Sequence, residues 1–191
     1  MNFGKKFKFD TLDESTVNYI NNIVNGNNDN ILVEIPNTKG ISSELIKKLN
    51  NRVFIRVAGG FTDEVVNNMR NVTYSDGNNG YDIYYNSVIY TKNELVSIVE
   101  ELEKIEGKLD SKWTDASIYT YLKSDIFYDP EYEKKDSMHI GSKDMRTLRG
   151  LISKNTVCAG YAIILKELLD RQGISCDYAD GNGHAWNIVN L

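Results

Sequence analysis

Two short stretches hold the residue types that thiol chemistry needs: Val157-Cys158-Ala159-Gly160-Tyr161-Ala162 and, downstream, Gly183-His184-Ala185-Trp186-Asn187. Tyr161, Ile164, Leu165, Leu168 and Leu169 repeat at i, i+3, i+4, i+7 and i+8, the period of a helix buried on one face. Cys158 therefore falls in the first turn of that helix. There the outward N–H groups and the helix dipole favour a thiolate. A histidine within hydrogen-bond reach stabilises such a thiolate, acting first as base and then as acid. The small Ala159 and Gly160 leave room for a substrate backbone, and the Cys158 N–H is a candidate oxyanion donor. The plainer alternative is a small buried hydrophobe, the commoner fate of an isolated cysteine before a helix.

The other reactive residue types offer no rival site. Cys176 alternates with Ile174 and Tyr178, which assigns it to a core-facing strand side. His139 lies in a charged stretch, 129–143, read as a solvent-facing loop. The cysteines and histidines lack the close paired spacing of metal ligands, so neither a metal nor another cofactor is expected. Gly59-Gly60 follows a strand, but no G-x-G-x-x-G or Gly-Lys-Ser/Thr accompanies it, which leaves an ordinary turn. The tyrosines of Tyr81–Tyr90 read as sheet packing.

The elements that must position Cys158 and His184 come late in the chain. The Cys158 helix ends at Gly173. Ile174–Ala179 alternates as a strand, Asp180-Gly181-Asn182-Gly183 is a tight hairpin turn, and His184–Val189 is the returning strand. Before them, a helix is expected from about Ser111 to Asp125 with Ile118, Tyr119 and Leu122, and a short one near Lys143–Ile152. Further upstream, Thr91 and Glu94 form a capping box opening a long helix with Leu95, Ile98, Val99, Leu102 and Ile105, closed by Gly107. The first half reads as a helix over 11–25, capped by Thr11 with Glu14, and then two β-then-α units. Strands Ile31–Ile35 and Val53–Val57 are followed by helices capped at Ser42 or Ser43 and at Thr62, which suggests a small parallel sheet.

Composition narrows the function classes. The chain has 191 residues, enough for one large domain or two small ones with a true core. The net charge of −5 argues against a nucleic-acid partner. No apolar run reaches the ~18–20 residues of a membrane-spanning helix. As given, the chain reads as cytoplasmic; a secreted or surface domain trimmed of its leader reads the same. Two cysteines do not make a disulfide framework.

The residues Leu148-Arg149-Gly150-Leu151-Ile152, Val157-Cys158-Ala159-Gly160-Tyr161-Ala162, Leu168-Leu169, Gly173-Ile174 and Gly183-His184-Ala185-Trp186-Asn187 together resemble the bacterial transglutaminase-like domain, a papain-related cysteine fold. The resemblance covers roughly residues 111–191, and residues 1–110 lie outside it. It implies Cys158 as nucleophile, His184 as general base, and an Asp on the strand after the histidine strand. The sequence stops at Leu191, ahead of such a strand. Asn187 invites a Cys-His-Asn reading, but three residues along one strand turn it to the face opposite His184. Asp177 is expected to face away from Cys176, and Asp180 lies in the turn, so the third role stays empty. A domain incomplete at its C-terminal end is the first expectation and a natural Cys-His dyad the second.

The expected fold is therefore α+β. A small N-terminal α/β module (1–93) precedes a bridging helix (94–110) and a transglutaminase-like, papain-like domain (111–191) whose Cys-bearing helix packs on an antiparallel sheet. The expected function is thiol-dependent acyl transfer on peptide or protein amides, of peptidase, deamidase or transglutaminase type, with Cys158 and His184 catalytic. The substrate is a protein or peptide. The alternative is a catalytically impaired domain that binds a peptide or protein.

Overall fold

A computed structural model describes residues 3–57, 89–109, 114–128, 146–181 and 184–190. Several expectations lie outside these residues: Gly59-Gly60, the Thr62 helix, most of the Tyr81–Tyr90 strand, Ser111, the 129–143 loop with His139, and the Asn182-Gly183 part of the turn. The fold is α+β, with a mixed sheet and helices, and the chain divides into two compact units, Met1–Glu100 and Glu101–Leu191.

In the first unit, β1 (Lys5–Lys8), β2 (Ile31–Ile35), β3 (Val53–Val57) and β4 (Ile89–Thr91) pair in that order. β1, β2 and β3 run parallel, and β4 is antiparallel to β3. The sheet is thus mixed rather than parallel. β1 was hidden in the sequence by its lysines, which suit an exposed edge strand because they blunt edge-to-edge pairing. β2 is central and buries Ile31, Leu32, Val33 and Ile35, so it reads as a continuous apolar run rather than an alternating one.

Helix α1 (Glu14–Asn25) buries Val17, Ile20 and Val24. Its N-cap is Asp13, not Thr11. The Asp13 carboxylate accepts from the Thr16 N–H at 2.7 Å and from the Thr16 hydroxyl at 2.8 Å, which removes any need for the Thr11–Glu14 box. Ser42 caps the short α2 (Ser43–Lys47). Helix α3 (Lys92–Glu106) opens on the expected reciprocal box: the Thr91 N–H donates to Glu94 at 2.8 Å and the Glu94 N–H to Thr91 Oγ1 at 3.2 Å. The boundary between the units falls within α3.

The second unit is built round one helix. Its elements are α4 (Asp115–Asp125), β5 (Phe127–Tyr128), α5 (Gly150–Ser153), β6 (Asn155–Thr156), α6 (Cys158–Arg171), β7 (Cys176–Gly181) and β8 (His184–Val189). Helix α4 starts later than the sequence suggests because Thr114 and Ser117 form the capping box. β5 pairs in parallel with β6, a contact that strands of two residues do not announce. Of the helix expected near Lys143–Ile152, residues 146–149 are described but not α-helical, and the helix is the short α5 from Gly150. Gly150 there lets α5 press onto its neighbours: a methyl at this position would meet Thr156 Oγ1 at 3.0 Å and Ile164 Cδ1 at 3.3 Å.

Helix α6 is buried nearly all round, not on one face as its apolar stripe implies. It packs against β8, β7, α4, α5 and β6, and so has few sides left for water. Even Lys166 and Glu167 are buried. The Lys166 ammonium is held by Asp170 at 2.9 Å and by the carbonyl of Cys176, which compensates for its loss of hydration. At the helix end Gly173 takes φ +77°, a conformation that glycine adopts without penalty. The Ile174 N–H then bonds back to Leu169 and the Gly173 N–H to Asp170, a Schellman stop.

Lys154 leaves α5 in the left-handed region (φ 56°). Its ammonium donates to Glu101 and Asp125, each at 2.8 Å. Burial opposes this charge, but the two carboxylates outweigh it and hold the ammonium above its ordinary value. Glu101 is held below its own value in spite of burial, by Lys104 and Lys154.

Candidate active site

Cys158 is the first residue of α6 and is buried, with 5% of its surface exposed. Val157 sits at the N-cap and has no side-chain oxygen to offer the first turn. The N-cap residue therefore supplies no carboxylate or hydroxyl to the positive end of the helix. Cys158 packs with Ala159, Ala162 and Ala185, and Tyr178 closes the cluster. These small side chains let the hairpin backbone approach α6 closely.

β7 and β8 are antiparallel, with Cys176 opposite Val189, Tyr178 opposite Asn187 and Gly181 opposite His184. Burial follows the period of two along β8. Ala185 is buried and Asn187 half-buried toward α6, whereas His184, Trp186 and Ile188 are exposed. His184 and Trp186 share a face, their rings near-parallel at 6.3 Å. Among the described residues, no carboxylate bonds to His184.

One groove of about 720 Å³ is lined by both Cys158 and His184. Cys158 meets it as a buried residue near the helix start, and His184 as an exposed residue at the first position of β8. Tyr119, Lys123 and Ile126 of α4 and its end contribute further wall, as do Tyr161, Leu165 and Trp186. Tyr119 and Tyr161 meet edge to face at 6.1 Å. Burial, with Tyr119 and Asp125 nearby, holds the Tyr161 phenol well above its ordinary value, so it stays neutral at working pH.

Asn187 is turned to α6, as its strand position requires. Its amide donates to the Ala162 carbonyl at 2.9 Å and to the Cys176 sulfur at 3.4 Å. It is thus a clamp between β8, α6 and β7, which sequence spacing does not reveal. Cys176 is core, as expected, with 2% exposure. Burial pushes its thiol up, partly offset by the Asn187 hydrogen bond and Lys166. Asp177 is exposed and accepts from Asn190 at 3.2 Å.

The Tyr119–Lys123 pair on α4 is another contact that the sequence does not announce. Its only trace in the sequence is an aromatic and a cation at i and i+4, so that both project on one helix face. Among the described residues, no group of three or more His, Cys, Asp or Glu gathers as metal ligands, and no helix is long and apolar enough to cross a membrane. Comparison with known protein families, curated proteins and solved structures returns no match for this chain. The likeness to transglutaminase-like domains rests on the quoted residues.

Proposed function

We propose that the second unit is a thiol-dependent acyltransferase of the transglutaminase-like type, acting on peptide or protein amides. The observation that carries this reading is that Cys158, at the first position of α6, and His184, at the first position of β8, line one groove. The Cys158 thiol gives its proton to the His184 imidazole, and the thiolate attacks the amide carbon. The oxyanion takes hydrogen bonds from N–H groups of the first turn of α6. His184 returns the proton to the leaving amine as the C–N bond breaks, which leaves a thioester on Cys158. Water activated by His184 then releases the acid, giving hydrolysis or deamidation, and a substrate amine in its place gives a crosslink. Amide hydrolysis is the favoured outcome, because an open groove with an exposed histidine admits water.

A second reading has its own support. The His184 ring has no carboxylate partner among the described residues and lies on the exposed face of β8. An imidazole without such a partner is poorly oriented and its cation poorly stabilised. This favours a peptide-binding domain that retains the fold without full turnover.

Thiol labelling separates the two. In the acyltransferase, iodoacetamide labels Cys158 well below pH 8 and far faster than Cys176, and His184→Ala abolishes the advantage. Cys158→Ala then removes amide turnover by about 10⁴-fold or more. Equal, slow labelling of both cysteines sinks the enzyme reading and leaves the binding domain.

A further inference from the structure

Resting on the acyl-transfer reading of this groove, we infer that it selects acidic peptides, in which an apolar or aromatic residue fills the groove and a neighbouring carboxylate is read by Lys123. The walls supply the apolar half of this selection. Tyr119, Ile126, Tyr161, Leu165 and Trp186 face a space of about 720 Å³, within the size range of small-ligand sites. Such walls reward a bulky side chain and give no anchor to a small polar one.

The charge pattern supplies the other half. The chain carries 27 acidic against 22 basic residues, yet among the described residues lining the groove Lys123 is the one formally charged side chain and none is a carboxylate. This runs against composition. Other ammonium groups of the unit are engaged: Lys154 by Glu101 and Asp125, Lys166 by Asp170, Lys104 by Glu101, and Lys108 by the Tyr121 hydroxyl. Lys123 has no carboxylate partner among the described residues. Its ammonium lies 5.6 Å over the Tyr119 ring, which holds the cation at the groove wall without neutralising it. A flexible, exposed ammonium suits a carboxylate as a point charge.

The test uses the full chain with Trp113→Phe, so that Trp186 alone reports by its emission. The probes are acetyl-Glu-Leu-Gln-amide and acetyl-Lys-Leu-Gln-amide. The Glu peptide is expected to bind about fivefold more tightly than the Lys peptide at low salt, with the difference shrinking in high salt. Lys123→Gln abolishes the preference and Lys123→Glu reverses it; both changes sit on the exposed face of α4 and leave the fold intact by circular dichroism. Equal binding of the two peptides, no emission change with either, or a preference that survives Lys123→Gln overturns the inference. The same titration in Cys158→Ala keeps the outcomes apart. Charge preference there, without turnover of either peptide by the parent chain, sinks the acyl-transfer reading alone. Turnover without charge preference sinks the selection alone.

Discussion

The two units bury similar aliphatic side chains but differ in what else they bury. Among the described residues of Met1–Glu100, the buried polar side chains are Thr38 and Ser43, around a four-stranded sheet whose core is Ile, Leu and Val with Tyr90. In Glu101–Leu191 they are Thr147, Thr156, Lys166 and Glu167, and both cysteines are buried as well. A buried charge is tolerated only where partners compensate it, and such sites cluster where a fold departs from plain stability. Under the proposed function, the first unit serves as a structural module and the second carries the chemistry.

Matched substitutions sharpen or break that contrast, and the largest effect is expected in the cores. Ile55→Ala in β3 and Ile164→Ala in α6 each remove a fully buried side chain and destabilise their unit by about 2–5 kcal/mol in urea unfolding. Only Ile164→Ala is expected to change the labelling rate of Cys158. If Ile55→Ala changes that rate as strongly, the division of labour is wrong.

A pair of glycines comes next. Gly150→Ala forces a methyl against Thr156 and Ile164 and destabilises the second unit by about 1–3 kcal/mol through overpacking. Gly40→Ala meets nothing within 4 Å, but its φ of +72° is left-handed, so about 1–2 kcal/mol is lost to backbone strain instead. Thermal melts of Gly150→Ser set beside Gly150→Ala separate the causes, since the added hydroxyl worsens a steric clash.

Two amide clamps form the third pair. Asn21 joins α1 to the chain before β3 by donating to the Lys48 carbonyl at 2.8 Å and accepting from the Asn50 N–H at 2.9 Å. Asn187 does the same for β8 and α6. Either change to Ala costs about 1–2 kcal/mol. Asn187→Ala also shifts the strand that carries His184, and amide turnover falls by about tenfold or more, whereas Asn21→Ala leaves turnover unchanged.

The smallest effect is electrostatic. The folded pKa of Glu101 is depressed, so its share of stability is present above the ordinary 4.5 and is lost as pH falls through the folded value. That of Lys154 is raised, so its share is present below the ordinary 10.5 and is lost as pH rises through the folded value. The stability difference between the parent and Lys154→Met is therefore flat between these limits and shrinks beyond both. It does not exceed about 1 kcal/mol, because the ammonium is part-exposed and screened. A difference that grew below pH 4 in urea titrations would show the cluster to be wrongly assigned.

The sequence by itself determined the local elements. Apolar runs marked β2 and β3, the Thr91–Glu94 box marked the start of α3, and the stripe from Tyr161 to Leu169 with Gly173 marked α6, since period and capping chemistry act within a few residues. The alternation of β8 likewise assigned Trp186 to the face of His184 and Asn187 to the other. What neighbours cover was decided only in three dimensions. β1 became a strand because β2 offered it an edge, and β4 pairs antiparallel with β3, a direction no local pattern sets. α6 became buried nearly all round because three further elements and a hairpin met on it. Asn187, Tyr119 and Lys123 acquired their roles in the same way. Each is an ordinary polar or aromatic residue until a partner distant in sequence is brought against it, and no local pattern encodes which partner that will be.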